Sequence, residues 1–228
     1  HNIPVTSTVM GIGCMTTDDP YYISTVGALG EGSSNNLSKD TDLALAVGTK
    51  LADFTTGSWA NFENPNFKLV SVNTTRYDTT KHLATPVISD AKVGLQKISE
   101  ALGDWKAPDP WYQRAIKERA KWDAYVEKQS GPTNQEEPSY AHAVGAIYRN
   151  SDPSDIVVTA AGGLVGEVVQ VWKPKQLNTF ETEWGFSCMG YEISGALGIK
   201  MAKPDQDVVV FVGDGSYLLN NSDIYSSV

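Results

Sequence analysis

Cysteine and histidine are scarce in this sequence. Of 228 residues, only Cys14 and Cys188 are cysteines, and only His1, His82 and His142 are histidines. The two cysteines form no CxxC pair and no zinc-ligand spacing. They read as reduced thiols of a cytosolic protein, so a cytoplasmic location is expected. The scattered histidines argue against a histidine-rich metal site, and none stands out as a general base. Basic residues are in deficit as well. Eighteen Lys and Arg against 27 Asp and Glu give a net charge of -9 and a pI near 4.8. Nucleic-acid binding rests largely on Lys and Arg at phosphates, and no basic cluster offsets the balance. No apolar run approaches the length needed to span a bilayer. The opening residues do not read as a signal peptide. Hydrophobic residues at 41% and charged residues at 20% give the balance of a soluble globular protein. The expected partner is a small-molecule substrate, with no nucleic acid and no membrane.

Both ends read as mid-fold. "NIPVTSTVMGIG" opens on a short strand and a Gly turn, and "NNSDIYSSV" closes as a helix begins. The chain is therefore expected to be a fragment of something longer.

Strands and helices alternate along the first hundred residues. "IPVTST", "LALAVGT" and "KLVSVN" look like buried parallel strands. "VGALGEGSSNNLSKD" suits a turn before a short helix. "DAKVGLQKISEAL" places Val93, Leu95, Ile98 and Leu102 at near-helical spacing, with Asp90 as N-cap. After the Pro-rich break "GDWKAPDP", one amphipathic helix sets Trp111, Ala115, Trp122 and Val126 on one side and stops at Gly131. "PTNQEEP" is a loop. From Ser139 a second unit runs helix, strand, helix, short strand, helix, strand, ending on "DVVVFVGDG". The expected class is α/β, with two parallel-sheet Rossmann-like units, the second truncated.

Ligands of parallel α/β sheets bind beyond the carboxyl ends of the strands. Two such ends carry glycine. "TAAGGLVGE" holds Gly162, Gly163 and Gly166 and has Glu181 and Glu183 about 20 residues on. It could be a dinucleotide fingerprint, though the strict G-x-G-x-x-G is absent, or a close-packed turn. "VGDGSY" holds Gly213, Asp214 and Gly215. Glycine lets backbone approach a ligand, a carboxylate suits Mg²⁺ or Ca²⁺, and a following helix start can hold phosphate. The same residues could be a strand-to-helix turn whose Asp caps the helix.

The residues around this turn carry a resemblance. "EWGFSCMGYEISGALGIKMAKPDQDVVVFVGDGSY" resembles the cofactor-binding domain of thiamine diphosphate enzymes of the acetolactate-synthase group. Met189-Gly190, the run Gly195-Ala196-Leu197-Gly198-Ile199-Lys200 and the G-D-G occupy the matching places. "IPVTSTVMGIG", "DLALAVGTKLADFTTG" and "LVSVN" are similar to that group's central domain in order and spacing. Within the group, the string Ser-Cys-Met-Gly-Tyr-Glu looks like the branch that hydrolyses trihydroxycyclohexane-1,2-dione in myo-inositol breakdown. The synthases carry a Gly before Met-Gly and a Pro in the next helix, and this chain has neither.

The resemblance implies three regions: a central domain over residues 1–103, a connector over 104–138, and the first part of a diphosphate-binding domain over 139–228. It implies thiamine diphosphate and Mg²⁺ as cofactors, with Asp214 as a metal ligand. Gly215 and Ser216 would give amides to phosphate, and Gly162 and Gly163 would line the diphosphate turn. Met189 would wedge beneath the bent cofactor, and the Ser187 carbonyl would accept from its pyrimidine amino group. Family members often have Gly where Ser187 stands. The second metal-ligating Asn would lie past Val228, and the catalytic Glu in a domain ahead of this region. No residue of this chain is therefore named catalytic. The implied reaction is attack of a cofactor carbanion on one carbonyl, C–C scission, and hydration to a ring-opened acid, in a homodimer or homotetramer. By itself this chain is expected to bind the cofactor weakly and to turn over nothing. Two other readings stay open: an acetolactate-synthase or 2-keto acid decarboxylase relative, and a non-catalytic dinucleotide-binding module. No signal for FAD is found in "GALGEGSSN".

Overall fold

A computed structural model describes residues 1–227. Every strand pairing among them is parallel, in three open sheets. Strands β1 (Val5–Ser7) and β2 (Tyr22–Thr25) form the first. Helix α1 (Gly32–Asp40) follows, and then β3 (Leu43–Val47) and the single turn α2 (Asp53–Thr56). Strand β4 (Lys68–Asn73), turn α3 (Arg76–Thr80), strand β5 (Thr85–Ile88) and helix α4 (Ala91–Leu102) complete the N-terminal half. The second sheet runs β3-β4-β5. The α/β class with parallel sheets is thus observed, with the N-terminal strands divided between two sheets.

Edge positions correct two expectations. β3 was expected to be buried, yet it pairs only with β4 and leaves Leu43 55% and Leu45 36% exposed. In α4, Asp90 does cap the helix, accepting from the Val93 amide at 3.1 Å. The side that meets the sheet, however, is Gly94, where a Cβ would stand 2.7 Å from Cγ1 of Val72. Val93 and Leu95 point away and are exposed. A helix brought this close by a glycine turns its flanking apolar residues outward.

The long helix α5 (Asp109–Ser130) ends at Gly131, as expected, and is packed over most of its length. Ala115 joins Ile23 and Leu37 in one small core, flanked by Trp111. Val126, one helix end away, joins the main core, flanked by Trp122. That core also takes Val9 and Ile12, which follow β1, and residues of helices α6 (Tyr140–Asn150) and α7 (Gly163–Val171). Ser139 caps α6 and shares a capping box with His142. Strands β6 (Ile156–Thr159), β7 (Phe180–Thr182) and β8 (Val208–Val210) form the third sheet in the order β7-β6-β8. Helix α8 (Tyr191–Ala202) precedes β8, and α9 (Asp214–Asn220) follows it. No helix among the described residues is long and apolar enough to cross a membrane.

The α5–α6 crossing has no spare room. A Cβ on Gly145 would sit 2.2 Å from the Ser130 carbonyl oxygen, which already accepts from Nη1 of Arg149 at 2.7 Å. Backbone cannot yield there as a flexible side chain would. Gly145→Ala is expected to destabilise the fold by about 3 kcal/mol and lower Tm by roughly 10 °C. Thermal unfolding followed by circular dichroism checks this, and an unchanged Tm would contradict the close crossing.

Candidate functional site

All three strands of the third sheet release their chains at one end. β6 leads through Ala160 and Ala161 to Gly162 and Gly163 at the start of α7. β7 leads through the loop 183–190 to α8, and β8 leads through Gly213 to Asp214. The chain passes from β6 to β7 on one side and later to β8 on the other. Connections thus diverge at β6, the place where open parallel sheets form a crevice.

The predicted residues meet there. Met189 is half exposed, and its Cε lies 3.0 Å from where a Cβ on Gly215 would stand. A side chain at residue 215 would displace the methionine. Gly162 takes φ +87°, a left-handed conformation that favours glycine. Among the described residues, chain neighbours and local helix backbone aside, no atom lies within 4 Å of a Cβ built on Gly162, Gly163 or Gly213, so open space stands against the backbone at each. Ser187 holds φ +51°. That strained value gives a physical reason why glycine suits this position.

Asp214 is exposed in the first turn of α9, and its Oδ1 accepts from the Gly215 amide at 2.8 Å. Ser216 beside it is buried. Asn220 spends its amide on protein: Nδ2 donates to the Gly190 carbonyl at 3.2 Å and to Asp223 at 3.0 Å. Among the described residues no three His, Cys, Asp or Glu side chains cluster as a complete cation site.

Glu181 and Glu183, the acids about 20 residues past the first Gly-rich turn, are committed elsewhere. Glu181 accepts from the Tyr191 hydroxyl at 3.1 Å. Glu183 accepts from the amides of Cys188 at 2.6 Å and Phe186 at 2.9 Å. The Cys188 amide, with that of Phe186, holds the Glu183 carboxyl below its usual range. Desolvation and this carboxylate together push the Cys188 thiol up, which opposes a nucleophilic role.

Sequence reasoning missed three features. Glu192, in α8, is fully buried and accepts from the Ala161 amide at 3.2 Å and the Gly190 amide at 3.0 Å. A carboxylate in a run of small and apolar residues was the available signal. Glu183 acts as an anchor of the loop that carries Ser187 and Met189. Thr159 and Thr182 are register partners at the ends of β6 and β7, and both hydroxyls are buried without a hydrogen-bond partner among the described residues. Buried polar atoms are nearly always satisfied, so orphaned hydroxyls at a crevice point to something that binds there.

Residues 1–98 match the central domain of thiamine pyrophosphate enzymes, and residues 160–228 match the C-terminal thiamine pyrophosphate-binding domain. Over its whole length the chain is 33% identical to a 3D-(3,5/4)-trihydroxycyclohexane-1,2-dione hydrolase of Geobacillus thermodenitrificans, covering 38% of that protein. Proteins of the same name from Clostridium tetani and Lacticaseibacillus casei are 33% and 31% identical, each covered to 39%. The chain thus spans about two-fifths of the length of the curated relatives it matches. With both domain matches falling on the two α/β halves, the chain belongs to the thiamine pyrophosphate enzymes.

Proposed function

We propose that the chain is part of a thiamine diphosphate- and Mg²⁺-dependent enzyme that hydrolyses a C–C bond of a cyclic 1,2-dione in myo-inositol breakdown. The observation that carries the reading is the convergence of Gly162, Gly163, Met189 and Asp214 beyond three neighbouring parallel strands. The substrate is the one that gives its name to relatives similar over the whole chain. Residues 1–103 are the central domain, 104–138 the connector, and 139–228 the first part of the diphosphate-binding domain. The whole protein works in the cytoplasm as a homodimer or homotetramer.

The residues present fit the cofactor. Open space at Gly162, Gly163 and Gly213 admits a diphosphate against backbone. A diphosphate beside a carboxylate needs a cation between them. Asp214 would supply a hard carboxylate oxygen of the kind Mg²⁺ prefers. Gly215 and Ser216 offer first-turn amides to phosphate. Met189, soft and unbranched, would support the cofactor's ring system, and the Ser187 carbonyl would accept a hydrogen bond from its pyrimidine amino group. When bound, thiamine diphosphate supplies the carbon nucleophile and electron sink that cleavage beside a carbonyl requires. The part of these residues is to bind and orient it, and no proton transfer is assigned to any of them.

The test is turnover by the full-length enzyme of the cyclic dione and of pyruvate. We expect a ring-opened acid from the dione, dependent on added thiamine diphosphate and Mg²⁺. Turnover of pyruvate alone would sink the proposal in favour of a synthase or decarboxylase.

A further inference from the structure

We propose that Glu192 is a positioning residue, a buried buckle that fixes the turn after β6 against the Met189–Gly190 turn. The ligand it serves rests on the thiamine diphosphate reading, while the buckle itself rests on geometry alone. Among the described residues Glu192 is the largest fully buried side chain, and no Lys, Arg or His pairs with it. A buried carboxylate without a cation is costly unless hydrogen bonds compensate it. Here backbone amides compensate both oxygens. Oε1 accepts from Ala161, which precedes Gly162, and Oε2 accepts from Gly190, which follows Met189.

An ordinary helix cap explains only half of this. Glu192 lies two residues past Gly190, the N-cap of α8, so its bond to that amide is local. The bond to Ala161 crosses 31 residues of sequence and ends in another turn. For stability alone, an apolar residue would fill this helix position without the desolvation cost. The carboxylate does what an apolar side chain cannot, which is to set two ligand-facing turns at one separation. Asn220 extends the arrangement. It holds the Gly190 carbonyl from α9, the helix that carries Asp214. Glu183 pins the far end of the same loop through Phe186 and Cys188. All three segments that bear predicted cofactor contacts are thereby tied through Gly190, whose φ of +94° already limits it to glycine.

Glu192→Gln tests the buckle in the 228-residue chain. The substitution is isosteric, but its nitrogen donates and cannot accept from an N–H, so one amide loses its partner. Amide exchange read by NMR should quicken about tenfold or more at Ala161 or Gly190. Val157 and Val158 in β6 should keep wild-type rates. Thiamine diphosphate with Mg²⁺ should bind about tenfold more weakly. Val144→Ala, in the core of α6, is the control, expected to lower stability without changing either readout. Wild-type exchange at both amides would overturn the buckle. Faster exchange with unchanged cofactor affinity would make Glu192 structural and overturn its positioning role. If the wild-type chain binds no cofactor at all, the thiamine diphosphate reading fails, and the exchange rates still decide the buckle. Should Glu192→Gln not fold, Glu192→Asp keeps the charge and shortens its reach. It is then expected to free one of the same two amides, and protection of both would overturn the proposal.

Discussion

Replacing Asp214 by alanine is expected to weaken Mg²⁺-dependent binding of thiamine diphosphate by about a hundredfold or more, beyond detection by calorimetry. Changing groups that only support a metal ligand already costs roughly 10- to 100-fold in affinity. Asp214 is proposed as a ligand itself, and it is exposed at the carboxyl end of β8, clear of the packed core. Among the described residues its side chain accepts from the adjacent Gly215 amide. The fold should therefore survive the change with a loss on the scale of an acid in a helix's first turn, at most about 1 kcal/mol. The discriminating pattern is lost Mg²⁺ dependence with a nearly unchanged Tm. If Mg²⁺ still strengthened binding in the variant, Asp214 would be an acid in the first turn of α9 and nothing more, since the N-cap there is Gly213 and no side chain caps the helix.

The second large effect concerns stability. Glu31 precedes α1 and is 3% exposed, and its Oε2 accepts from Nζ of Lys173 at 2.7 Å. The pair joins two halves of the chain 142 residues apart. Breaking a buried pair by removing one partner costs about 3–5 kcal/mol, because the other charge stays buried. Lys173→Met should cost this much near neutral pH. Burial pushes the Glu31 carboxyl up, Lys173 pulls it partly back, and Asp123 adds to the rise. A group whose folded pKa lies above its unfolded value stabilises the fold below the unfolded pKa, and that contribution is lost as pH rises through the folded pKa. Without Lys173 the Glu31 carboxyl moves further up. The deficit of Lys173→Met should therefore be largest near about pH 7.5 and shrink towards about pH 5, as the carboxyl takes up a proton. Urea unfolding at both pH values measures it. An equal deficit at both would mean that packing of the lysine stem, and not its charge, is what matters.

Apolar runs made much of the fold legible. β4, β6 and α7 announce themselves by valine and leucine, and Gly131 and Asp90 mark helix ends. β2 and β5 were invisible for physical reasons. β2 is half polar, yet buried throughout, because Ser24 bonds Ser33 and Ser34 at 2.7 and 2.6 Å and Thr25 bonds Ser7 at 3.2 Å. Only the tertiary fold supplies those partners. β5 carries Pro86, which argues against a central strand but is tolerated on an edge. At the site, glycines, Met189 and Asp214 were legible as a motif. Glu192 and the Thr159–Thr182 pair were not, since their meaning lies in which backbone or strand they meet.

The central claim is that the carboxyl end of the β7-β6-β8 sheet holds a diphosphate through Mg²⁺. Its most direct test is an NMR titration of the chain with thiamine diphosphate, with and without Mg²⁺, a method that also reports weak binding. The amides of Gly162, Gly163, Met189, Gly215 and Ser216 are expected to shift together, and only when Mg²⁺ is present. Shifts that map elsewhere, or that are indifferent to Mg²⁺, would contradict the account.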